Sequence, residues 1–86
     1  MKVQIEYHRN GIGGIGFHVV LFDHRDEQGR NRHMLGIVFP GKMETAVLDV
    51  DRAAEGNVKF GSNSWRGDDF DAMLRTAIKT DEEKIA

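Results

Sequence analysis

The stretch Gly11-Ile12-Gly13-Gly14-Ile15-Gly16 satisfies G-x-G-x-x-G, the spacing that lets backbone amides approach a pyrophosphate. That chemistry needs a strand before the turn and a helix after it, so that phosphate meets the helix N-terminus. Residues 17–24, FHVVLFDH, alternate like a strand instead, and the chain is too short for a doubly wound sheet. The run therefore reads as a hairpin loop, and no cofactor is expected.

Four histidines, His8, His18, His24 and His33, invite a test for metal binding. Zinc needs three or four ligands converging at about 2.0–2.1 Å. His18 and His24 share a face but stand about 20 Å apart along an extended strand. His24 and His33 approach one another near a hairpin end, beside Asp23 and Asp26. Exposed or partner-bonded histidines are expected, and no metal site.

Ser62 and Ser64 lie in a turn without a nucleophile elbow. Asp68, Asp69 and Asp71 are explained by helix capping, so no catalytic residue is assigned. Ser64-Trp65-Arg66-Gly67-Asp68 contains Arg-Gly-Asp, too short a match to carry meaning alone. Trp65 reads as a plug at one end of the core, with binding through Trp65 and Arg66 as the alternative.

Those residues must be held by a single domain of 86 residues, with 40% hydrophobic and 30% charged content. Cysteine is absent, which excludes disulfides and thiolate zinc sites and suits a reducing compartment. MKVQIEYHRN has no apolar core of a signal peptide, and no run reaches the ~18 apolar residues of a membrane span. A cytoplasmic protein without membrane contact is expected. Net charge is −2, with six Lys/Arg against four Asp/Glu in residues 1–42 and six against ten in residues 43–86. That balance does not favour a dedicated nucleic-acid binder.

Val3, Ile5 and Tyr7 alternate with polar neighbours and predict a first strand. Residues 17–24 and 33–39 predict two more, joined by the charged turn at residues 25–32. Pairing about that turn sets Phe17 against Phe39, Val19 against Ile37, Leu21 against Leu35 and Asp23 against His33. Residues 45–50 form a fourth strand, Asp51 could cap a helical turn, and 57–60 suggest a short fifth strand. Phe70, Met73, Leu74, Ala77 and Ile78 form one apolar stripe, predicting a helix capped by Asp68. The expected fold is α+β: a four- to five-stranded antiparallel β-sheet with one C-terminal α-helix packed on one face. Residues 1–80 form the domain, and 81–86 an acidic, frayed tail.

Val3, Ile5, Tyr7, Phe17, Val19, Leu21, Leu35, Ile37, Phe39, Leu48 and Val50 are expected to meet the helix. The opposite face then carries His18, Val20, Phe22, Met34, Val38 and Val47, too apolar for a wet surface. The expected function is a small non-enzymatic binding or interaction module, a homodimer through that second face.

The order of four strands and a helix resembles that of the small transcriptional-coactivator, Whirly and Pur single-strand binders. The likeness is one of element order, with no shared motif. It implies an alternative: a single-stranded nucleic-acid-binding domain using the sheet, with Arg9, Arg25, Arg30, Arg32 and Lys42 on the phosphates. A small enzyme or metal-binding protein is the remaining alternative.

Overall fold

The computed structural model describes residues 3–41, 43, 45–54 and 70–85. The expected fifth strand at 57–60, Trp65, Arg66, the Asp68 cap and Lys42 lie outside the described residues. Four strands, β1 (Val3–Ile12), β2 (Ile15–Arg25), β3 (Asn31–Val38) and β4 (Ala46–Asp49), precede helices α1 (Val50–Ala54) and α2 (Asp71–Ile85). The strands form an antiparallel sheet in chain order, β1-β2-β3-β4, giving the expected α+β fold.

The turns explain this order. Ile12 pairs with Ile15, and Gly13 and Gly14 between them have φ of 62° and 79°. Two consecutive left-handed residues make the mirror-image turn whose twist suits a hairpin, and glycine adopts that conformation without a Cβ penalty. The glycine run is thus mostly strand, with only its middle pair forming the turn. Asp26 organises the next turn, its Oδ1 accepting the amides of Gln28 at 2.9 Å and Arg30 at 2.8 Å. Beyond it Val19 pairs with Ile37, Leu21 with Leu35 and Asp23 with His33, the register read from the sequence.

The facing assignment has to be corrected. Val3 pairs with Phe22, Ile5 with Val20 and Tyr7 with His18. Val3, Ile5 and Tyr7 therefore share a face with Val20 rather than with Val19. A slip of one residue in register moves a whole set of side chains to the other side. This face is the one α2 covers. Val20, Phe22, Val38, Val47, Leu74 and Ile78 form the buried core, with Val3, Ile5, Met34, Phe70 and Met73 packed against it. The expected dimer face of Val20, Phe22, Met34, Val38 and Val47 is thus the helix-covered core. Conversely, Val19, Leu21, Leu35, Ile37 and Leu48 lie on the far side of the sheet.

Gly36 supplies the physical reason. It lies on the Val20 face, between Val20 and Val47 in the ladder. A Cβ at Gly36 would come within 2.8 Å of Leu74 Cδ1, so the missing side chain is the hollow that seats the helix. Leu74 fills it and is fully buried, which at about 1.5–3 kcal/mol for a large apolar side chain makes it a principal anchor. The expected stripe on α2 is the stripe that packs.

Both helices differ at their ends from expectation. α1 is capped by Asp49, whose Oδ1 accepts the amides of Asp51 at 3.1 Å and Arg52 at 3.2 Å, and not by Asp51. α2 runs through the acidic segment to Ile85, well past the expected end near Thr80.

Candidate functional site

A cleft of about 790 Å³ lies between α2 and one end of the sheet. Alternation along β1, β2 and β3 brings Ile5 and Val38 to its floor, where Ile78 of α2 joins them. Tyr7 and His18 supply ring surfaces on this face, while Phe17, whose ring stacks on His8 at 5.4 Å between centroids on the other face, and Phe39 border the cleft at the end of the sheet. The rings of Tyr7 and His18 meet at 4.9 Å between centroids, and those of Phe17 and Phe39 at 6.0 Å. The Tyr7 hydroxyl lies over Gly16, where any Cβ would collide with it. Tyr7 is nevertheless 60% exposed.

The helical wall carries Arg75, Lys79 and Glu82, which project at the 3.6-residue period onto one side of α2, with Asp81 at its flank. Arg75 donates through Nε to Asp71 Oδ1 at 3.0 Å. Its Nη1 donates to the Phe39 carbonyl at 3.1 Å, and its Nη2 to the Met43 carbonyl. Glu82 Oε1 stands 3.7 Å from His18 Nε2, linking the last turns of α2 to β2. Hydrophobic floor, aromatic walls and a few polar groups at the rim are the usual composition of a small-molecule site. The described lining residues include no serine, threonine or cysteine to serve as a nucleophile.

Of the expected second-face residues, His18 and Val38 line this cleft; Val38 also belongs, with Val20, Phe22, Met34 and Val47, to the core beneath α2. The arginines expected on phosphates gather chiefly at the β2–β3 turn. There Asp26 Oδ2 lies 3.2 Å from Arg32 Nε and 3.4 Å from Arg30 Nε, and Arg25 Nε donates to the Gly29 carbonyl at 3.2 Å. Arg32 also lies 3.9 Å from Asp49. The Arg30 amide, followed by the Arg32 side chain and the Gln28 amide, holds the Asp26 carboxyl below its usual value despite some desolvation. Three of the expected phosphate contacts are therefore engaged within the turn itself. Arg9 is exposed on β1.

His24 and His33 do not converge. They lie on opposite faces: His24 sets its ring edge-on to Phe70 at 5.1 Å, while His33 Nδ1 meets Asp51 Oδ2 at 3.0 Å. The hydrogen bond and charge of Asp51, aided by Asp23 and Asp49, raise the His33 pKa above its ordinary value. Among the described residues no group of three or more His, Asp or Glu side chains could hold a metal ion. No described helix is long and apolar enough to cross a membrane.

The sequence reading missed the cleft because its walls come from four separate segments of the chain. One signal was available: Arg75 and Lys79 flank the apolar stripe of α2, so they border whatever the stripe covers. Comparison with protein-family models, curated proteins and solved structures gives no match to any of them.

Proposed function

We propose that this chain is a small non-enzymatic binding module that receives an apolar, ring-bearing ligand in the cleft between α2 and the sheet. The observation that carries this reading is the meeting of the Tyr7 and His18 rings beside a floor of Ile5, Val38 and Ile78, with Phe17 and Phe39 bordering the cleft at the end of the sheet. Aromatic walls favour flat partners through offset or edge contacts, while Lys79 and Glu82 at the rim offer both signs of charge to a polar substituent. Catalysis has less support, since no serine, threonine or cysteine stands beside His18 and Glu82 among the described lining residues. The cysteine-free composition suits a reducing compartment, and we place the protein in the cytoplasm on that ground.

The test is an amide chemical-shift titration with 1-anilinonaphthalene-8-sulfonate, an aromatic anion. Saturable shifts are expected at Gly16, Phe17, Phe39 and residues 78–82, weakened in Tyr7→Ala and Lys79→Glu. Shifts confined to Leu21 and Leu35, on the other side of the sheet, would overturn the assignment, as would the absence of saturation.

A further inference from the structure

We propose that the outer edge of β1 pairs with β1 of a second copy of this chain, antiparallel and centred on Tyr7, so that two sheets become one. Among the described residues β1 stands at the sheet margin, paired with β2 alone, and is ten residues long. The opposite margin, β4, has four residues and leads directly into α1. An uncovered edge presents a row of backbone donors and acceptors that a like strand can satisfy. The ladder with β2 is regular from Val3 to His8 and shifts only beyond it, so Glu6, Tyr7 and His8 lie in straight strand.

Symmetry narrows the register. A two-fold axis normal to the sheet places like faces together and sets one residue opposite its own copy. Centring on Glu6 would oppose two carboxylates, and centring on His8 would oppose two imidazoles. Centring on Ile5 would use a residue already packed against the core. Centring on Tyr7 opposes Glu6 to His8 of the partner subunit twice, and Gln4 to Asn10 of the partner subunit. Glu6 and His8 already lie 3.4 Å apart within one chain, so the dimer would close an alternating cluster of four charges when His8 is protonated. All four of these polar residues are exposed in the single chain. Tyr7 lines the cleft, so each cleft would gain a neighbouring wall from the partner's Tyr7. The pairing stands whether or not the cleft takes a ligand.

The chain has no cysteine, which permits a clean crosslinking scan. Ile5→Cys, Glu6→Cys, Tyr7→Cys and His8→Cys, oxidised separately and run on non-reducing gels, report which residue meets its own copy. Sedimentation of the unmodified chain across concentrations gives the mass. The expected results are a two-subunit mass at high concentration and fastest crosslinking at Tyr7→Cys. Glu6→Arg should return the mass to one subunit, and Glu6→Arg with His8→Glu should restore two. A one-subunit mass throughout, fastest crosslinking at another position, or a dimer indifferent to Glu6→Arg would overturn the proposal. Circular dichroism of each variant checks that the fold survives the exchange.

Discussion

Val19 and Val20 are identical neighbours in β2, yet Val20 is fully buried against α2 while Val19 is half-buried on the other side of the sheet. The same division runs through the whole sheet. On one side, Leu74 and Ile78 close over Val20, Phe22, Val38 and Val47. On the other, Ile37 and Leu48 are buried while Leu21 keeps 39% of its surface exposed. Apolar content does not separate these faces. What separates them is shape: Gly36 leaves a recess on one side, and its neighbours Leu35 and Ile37 project from the other.

The sharpest way to break this contrast is to empty the recess. Leu74→Ala should cost about 2–5 kcal/mol, the range for a buried leucine that leaves a cavity, read as a fall in the urea midpoint. An unchanged midpoint would mean that α2 is not anchored there. Filling the recess should come next. Gly36→Ala adds a Cβ within 2.8 Å of Leu74 Cδ1, and overpacking costs about 1–3 kcal/mol. Removal of a strand glycine offsets about 0.5–1 kcal/mol of that loss. A stabilised Gly36→Ala protein would show that Leu74 yields freely.

Leu21→Ser, on the far face, should change stability by less than about 1 kcal/mol, because the side chain is already substantially in water. A loss as large as that of Leu74→Ala would place a second core there. The smallest expected effect belongs to His33, exposed beside Asp51. Its pKa is raised on folding, so its contribution is complete below the unfolded value of about 6.5 and disappears as pH rises through the higher folded value. Thermal melts from pH 5.5 to 8 should therefore show a decline in the parent chain that is shallower in His33→Ala. Equal slopes would sink the assignment.

Much of the architecture was legible in the residues. The β2–β3 register followed from complementary pairs across one charged turn, and α2 followed from a stripe with no competing period. The β1 register was not, because a run containing four glycines permits several loop lengths, and adjacent choices send Val3, Ile5 and Tyr7 to opposite faces. Once that parity was lost, two equally apolar faces gave no means of recovering it. Gly36 carried the missing information, since a glycine inside a strand often marks the close approach of another element. The cleft was harder to read: Tyr7, His18, Phe39 and Lys79 are brought together only by the register and by the seat of α2.

Arg75 has a consequence for how the cleft would work. One guanidinium holds its own helix through Asp71 and grips the chain leaving β3 through the carbonyls of Phe39 and Met43. The two walls are thereby latched, and a guest would enter a mouth whose width is already set. Little ordering then remains to oppose association, so even a small ligand could be retained without a closing motion.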